Sequence, residues 1–277
     1  MPPDEIEEKD ARVSERLQKA LARAGFGSRR EIEGWIREGR VVVNGSPARL
    51  GDRVVPGSRI LIDGERARLP EAALRRRVVA YNKPEGEICT RSDPQGRPTV
   101  FEALPVGGDG KWVTVGRLDL NTSGLLLATN DGELAHKLMH PGSGVVREYA
   151  VRILGRVDAG MIGRLKRGVR LKDGMAAFDD VIDAGGKGAN HWYRVRIREG
   201  RNRGVRRIWE SQGVKVSRLI RIRYGPIELP RALKAGQWRE LKGRDLEALV
   251  AAAEGPAIKV RAPSHPSRPA RRRSRER

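Results

Sequence analysis

The run Val115 to Gly132, VGRLDLNTSGLLLATNDG, constrains this chain more than any other segment. Val113 and Val115 alternate with polar neighbours, as a strand does. A polar loop from Asp119 to Gly124 interrupts, an apolar run Leu125 to Ala128 resumes, and Asn130-Asp131-Gly132 closes with turn formers. Strand, loop, strand puts Asp119 at the rim of a sheet. Arg117, two residues earlier, shares its face because strand side chains repeat every two positions. Asp and Asn also serve ordinary turns by capping backbone donors, so turn chemistry alone leaves the role of Asp119 open.

The chain on either side divides by pattern. Residues 1–13 are acidic and aperiodic, the signature of an unstructured tail. Ser14 to Ala24 carries Leu17, Ala20, Leu21 and Ala24 at helical spacing, and Ser28 with Glu31 forms a capping box opening a second helix through Glu38. Val41 to Val43, the hairpin turn Asn44-Gly45, and strands near Val54 and at 59–62 complete a small domain over 14–62. Residues 63–77 lack alternation and read as a linker.

A second domain spans 78–253. The pattern predicts strands at Val78 to Asn82, from Arg147, at Trp192 to Arg198 and at Val216 to Ile222. It predicts helices at Thr99 to Leu104, Glu133 to His140, Asp158 to Arg167, Val205 to Gln212 and Asp245 to Ala253, with turns at Gly107 to Gly110 and Gly185 to Gly188. Residues 254–277, rich in Pro, Ser and Arg, read as a disordered basic tail. Many strands joined by short turns make this an α+β chain whose larger domain is a mixed, mainly antiparallel sheet.

Charge narrows the function. Across 277 residues, 56 Lys and Arg face 35 Asp and Glu, a formal net charge of +21. Such an excess points to a polyanion, and nucleic acid stands ahead of a membrane because no apolar run nears the ~20 residues of a span. The opening PPDEIEEKD lacks a secretory pattern, and the single Cys89 excludes an intrachain disulfide, so a cytoplasmic setting is expected. There is no Walker string, no dinucleotide fingerprint and no thiol cluster. His136 and His140 lie four apart, a spacing a metal could use, but without HExxH they read as surface or RNA-facing groups. No metal and no cofactor are expected.

The strings GRLD, TSGLLL and TNDG resemble the signature of the RsuA/RluB-type RNA pseudouridine synthases, and NKPEG is similar to that family's opening motif. The segment RLQKALARAGFGSRREIEGWIREGRVVVNG resembles an S4 (αL-type) RNA-binding domain. The resemblance implies the pseudouridine synthase sheet, with its cleft across the middle, and a reaction in which the N1–C1′ bond of a uridine breaks and the base rejoins through C5. It makes Asp119 the catalytic residue, as nucleophile at C1′ or base toward C2′. Such a group must be ionised in a cleft that excludes water; burial opposes the charge, so a cation must offset it. Arg206, in Asn202-Arg-Gly-Val-Arg206-Arg207, matches the arginine that pairs with the catalytic Asp. Tyr149 matches the tyrosine that stacks on the everted base, replacing the stacking it leaves behind in the RNA. Arg117 would hold the flipped nucleotide or its phosphate, and Leu219 would line the base pocket. Gly204 departs from the family, which usually carries Gln there. No second carboxylate stands ready to handle a water, which suits an isomerase.

In the S4-like segment, Arg16, Lys19, Arg29, Arg30, Arg37 and Arg40 would contact phosphates, which position an RNA without specifying it. The implied partner is ribosomal RNA, 23S first, as naked RNA or in a pre-ribosomal particle; 16S rRNA is the nearest alternative. A non-catalytic S4-type ribosome-assembly factor is the reading from a different class. A monomer is expected.

Overall fold

A computed structural model describes residues 14–69, 75–106, 111–187 and 190–255. The N-terminal tail, residues 256–277 of the basic tail and the expected turn Gly107 to Gly110 lie outside the described residues.

The first unit comprises β1 (Glu15–Arg16), α1 (Leu17–Arg23), α2 (Arg29–Arg37), β2 (Val41–Val43), β3 (Ser46–Pro47), β4 (Arg53–Val54), β5 (Ile60–Ile62) and β6 (Glu65–Ala67). The first helix starts later than Ser14 because Glu15 and Arg16 pair with β4, and Leu17 N–H bonds Asp52 O at 2.8 Å. The capping box at Ser28 is present: its hydroxyl accepts from Glu31 N at 3.2 Å, and its own N–H reaches Glu31 Oε2 at 3.1 Å. Leu17, Leu21, Ile32, Ile36, Val41 and Ile60 form the core.

Residues 63–77 read as linker, yet β6 lies within them and extends the sheet β3-β2-β5-β6. Asp63-Gly64 is a hairpin turn with Asp63 at φ 52°, and Ala67 is the one inward residue of the returning strand. A three-residue strand with two exposed charged residues offers no alternation to detect.

The second unit is built on β7 (Val78–Lys83), β8 (Val113–Thr114), β9 (Ser123–Thr129), β10 (Arg147–Leu154), β13 (Asp180–Lys187), β14 (Asn190–Ile197), β15 (Lys215–Tyr224), β16 (Ile227–Glu228) and β17 (Trp238–Glu240). These nine strands run β13-β14-β10-β15-β9-β7-β17, with β8 on β9 and β16 on β15. A separate hairpin pairs β11 (Val169–Leu171) with β12 (Gly174–Ala176). The helices are α3 (Val100–Ala103), α4 (Gly132–Met139), α5 (Ala159–Arg167), α6 (Gly204–Glu210) and α7 (Gly243–Ala253). Pro141 ends α4 and opens a single 3₁₀ turn.

The turn expected at Gly185 to Gly188 does not begin at Gly185. β13 runs through Gly185 and Gly186 to Lys187, and its pairing with β14 shifts register between Asp183 and Gly186. Gly185 and Gly186 mark an irregularity within the strand, and Gly188 of the expected turn lies outside the described residues.

All pairings in the large sheet are antiparallel except β15 with β9, where Ile220 opposes Ser123 and Arg221 opposes Gly124. That parallel seam positions the site. Gly124 sits at φ +100°, and a Cβ there would meet Arg221 O at 2.3 Å, so only glycine lets the strands approach. α5 and α6 cover one face around Trp209 and Tyr193, and α4 and α7 close the core around Leu125 and Leu127. Between the covered regions the loop joining β8 to β9 comes to the surface.

Candidate active site

That loop carries Asp119, and its backbone is held at four consecutive carbonyls. Asp119 O accepts from Thr122 N at 3.0 Å, and Leu120 O from Gly86 N at 2.9 Å. Asn121 O accepts from Arg206 Nη2 at 2.7 Å, and Thr122 O from Lys83 Nζ at 3.0 Å. The four donors come from four parts of the fold: the loop itself, the NKPEG turn, the end of β7, and α6. The Asp119 carboxylate, half-buried, has no hydrogen-bond or ion-pair partner among the described residues. Backbone fixed and side chain free is what a reacting group needs.

Two of those donors are buried cations. Lys83 is 0% exposed, with Nζ also bonding Pro84 O at 2.8 Å. Burial pushes its pKa down, countered by Cys89, Glu87, Glu85 and Asp119. Arg206 is 6% exposed, and its Nη1 bonds Val216 O at 3.0 Å. Burial, then Arg203, lowers its pKa, while Asp119, Glu210 and Glu85 work the other way.

The loop opens on a cavity of about 460 Å³. Arg117, Asp119, Tyr149 and Leu219 all line it, so four of the five catalytic-domain residues singled out in the sequence meet there. Arg117 is exposed at its mouth, Tyr149 is half-buried, and Leu219 is buried. Tyr149, on β10, lines the cavity with Asp119 and packs against the cluster that contains Leu118. Arg206 is the exception. An Arg206–Asp119 ion pair is implied by the resemblance, but the structure holds none: the guanidinium lies behind the loop and bonds two carbonyls through Nη1 and Nη2, while its buried Nε has no hydrogen-bond partner among the described residues. It holds the Asp119 loop at the backbone two residues along, and its charge is felt by Asp119 without an ion pair.

Pattern reading passed over three residues of this cavity. Arg147, Arg221 and Tyr224 line it together. Arg147 is 7% and Arg221 2% exposed, and their guanidinium carbons lie 5.1 and 5.2 Å from the centroid of the Tyr224 ring. The signal was strand parity: Arg147 stands two before Tyr149, and Arg221 two after Leu219, each on the cavity face. With Arg117, Arg201 and Arg203 they oppose only Asp119 and Glu199, so the lining is strongly basic. Arg203 adopts φ 50° at the start of α6, an uncommon conformation for a side chain other than glycine.

The S4-like unit presents a different picture. Arg16, Arg29 and Arg30 are exposed and have no ion-pair partner among the described residues. Arg37 lies 3.8 Å from Glu33. Arg40 is held by both oxygens of Asp63, at 2.7 and 2.6 Å, and stacks on Trp35. Lys19 reaches Glu133 of α4 at 3.0 Å, a contact between the two units. His136 and His140 pack ring on ring at 5.9 Å, and His140 Nδ1 accepts from Gly142 N at 3.1 Å.

Comparison with known proteins bears on this geometry. Residues 77–211 match the RNA pseudouridylate synthase family, and residues 15–60 match the S4 domain. A protein of Shigella flexneri named ribosomal large subunit pseudouridine synthase B is 59% identical over 232 residues, covering 83% of this chain and 80% of that one. Its namesake from Pseudomonas aeruginosa is 57% identical over 239 residues, or 86% of this chain; the present chain spans only 62% of that relative's length. A solved structure described as a pseudouridylate synthase superposes with a TM-score of 0.60 at 26% identity, covering 84% of this chain and 99% of that one. The chain therefore belongs to the RsuA/RluB-type RNA pseudouridine synthases that carry an S4 domain.

Proposed function

We propose that the protein isomerises a uridine of large-subunit (23S) ribosomal RNA to pseudouridine, with Asp119 as the reacting group. The observation that carries this is the Asp119 loop, tied at four consecutive carbonyls while its carboxylate stands free in a cavity lined by Tyr149, Leu219 and five arginines. In the reaction the N1–C1′ bond breaks, a C5–C1′ bond forms, C5 loses its proton and N1 gains one. Nothing is oxidised and no water is consumed. Asp119 acts at the sugar, as nucleophile at C1′ or as base toward the C2′ proton. Tyr149 supplies an aromatic face to a base that has left its stack. Exposed Arg117 and Arg203 suit the phosphates that remain at the mouth. The names of the relatives support the large subunit as the source of the RNA.

The test is Asp119→Asn, followed by mapping pseudouridine across ribosomal RNA by chemical adduct and reverse-transcription stop. The variant is expected to bind RNA as the parent does and to leave the target uridine unmodified. Persistence of the modification would remove Asp119 from the reaction.

A further inference from the structure

Arg221 shares the cavity with Asp119, and no role in the reaction has been given to it. It is 2% exposed, on β15 at the parallel seam. Its Nε donates to Leu125 O at 2.6 Å, which fixes the guanidinium plane against β9. Its Nη2 is buried and has no hydrogen-bond partner among the described residues. A buried guanidinium donor left unsatisfied is costly, and such groups in folded proteins call for a partner. Arg147 differs: its donors go to Val145 O, Arg198 O and the Tyr224 hydroxyl. The Tyr224 hydroxyl is anchored on Leu138 O at 2.9 Å, so Tyr224 is a fixed spacer between the two cations.

The partner is set by depth. A phosphate carries its own water and stays with the chain, and the exposed Arg117 and Arg203 stand where it would lie. What enters the floor of the cavity is the everted base. Uracil presents two carbonyl acceptors on its ring, and a fixed guanidinium donor matches a carbonyl. Arg221 and Asp119 form no ion pair with each other, although they line one cavity.

We propose that Arg221 is a substrate-contacting residue, whose guanidinium, anchored through Nε on Leu125 O and lining the cavity, donates a hydrogen bond to a ring carbonyl oxygen of the everted uracil. The contact orients the base as it detaches and turns, and it favours a base with an oxygen at that position over one with an amino group. This rests on the isomerisation proposed above.

The experiment is a cycle between enzyme and substrate. An RNA fragment containing the target is made with uridine, 2-thiouridine or 4-thiouridine at that position, sulfur being the poorer acceptor. kcat/KM for loss of the target uridine is measured for the parent enzyme and for Arg221→Met, with Arg221→Lys as the variant that keeps a cation. For the parent, one thio substitution is expected to lower kcat/KM by roughly ten- to hundred-fold, the range of a hydrogen bond to a charged donor. In Arg221→Met that penalty is expected to vanish, because the donor that feels the sulfur is gone. An equal penalty in parent and variant would assign Arg221 to packing alone. Should Arg221→Met fail to fold, the parent still decides: two thio substrates turned over as fast as uridine leave no carbonyl contact to explain. If the parent forms no pseudouridine on any fragment, the proposed function fails and not this contact alone.

Discussion

The two units of the chain use arginine in opposite ways. In the S4 domain Arg16, Arg29 and Arg30 stand in solvent without carboxylate partners among the described residues. In the synthase domain Arg147, Arg206 and Arg221 are buried and bonded to main-chain carbonyls. A solvated guanidinium is cheap, mobile and sensitive to salt, which fits it to gather a polyanion. A buried one is fixed in place, insulated from salt, and unable to leave its carbonyls without leaving them unsatisfied. Under the proposed function, the first kind is assigned to capture and the second to positioning. The buried cations nearest the Asp119 loop, Lys83 and Arg206, bond its carbonyls and form no ion pair with its carboxylate.

The largest expected effect comes from converting a buried arginine to the other kind of cation. Arg206→Lys keeps the charge but cannot hold Asn121 O and Val216 O at once. The loop would lose one of its four ties, and the unsatisfied carbonyl would cost about 1–3 kcal/mol of stability. Turnover is expected to fall by about a hundred-fold, since a displacement near 1 Å can cost that much. Because Arg206 lies behind the loop, RNA affinity and its salt dependence should hold. Single-turnover kinetics beside a binding titration would check this; a loss confined to affinity would make Arg206 a capture residue and erase the distinction.

How much of this was legible beforehand follows the same division. Asp119, Arg117, Tyr149 and Leu219 could be read because each sits in a distinctive local string, and all four line one cavity. The capping box at Ser28 and the Asn44-Gly45 turn were legible because their signals span only a few residues. The Arg206 partner was not. Its choice of Asn121 O over the Asp119 carboxylate depends on where α6 packs behind the loop, a tertiary fact with no local trace. Lys83 was visible in NKPEG but its burial was not, because a lysine in a turn motif is ordinarily solvated. Arg221 stands two after Leu219, but it is one of three arginines in RLIRIRY, and only its pairing opposite Gly124 at the parallel seam singles it out.

A smaller effect should come from the solvated side. Arg29→Ala with Arg30→Ala removes two exposed cations at the start of α2. For every phosphate that an arginine no longer neutralises, the log–log salt slope of RNA binding should become shallower by ~0.7–0.9. The rate of the chemical step at saturating RNA should stay as it was. A slope unchanged by both substitutions would mean that these arginines only solubilise the domain, and the capture half of the contrast would rest on Arg16 and other groups.

The smallest effect sharpens the boundary between the units. Lys19 and Glu133 join them at 3.0 Å, with side chains 38% and 58% exposed. Lys19, first by its hydrogen bond and then by its charge, holds the Glu133 pKa below the ordinary glutamate value, with Lys137 adding to it against desolvation and Asp131. An acid depressed in the folded state stabilises at pH above its unfolded value, ~4.3, and that contribution is lost as pH falls through the folded value. Exposure limits the pair to at most ~1 kcal/mol at neutral pH, and salt weakens it further. A double-mutant cycle of Lys19→Met and Glu133→Gln, read by thermal melting, isolates the pair from the separate effect of Glu133 on the first turn of α4. The coupling should be small at neutral pH and disappear in acid, once Glu133 is protonated in both states. A coupling that survived protonation would mean that Lys19 is held at α4 by packing, as the buried arginines are held, and the S4 domain would then be set against the synthase domain by fixed contacts instead of by charge.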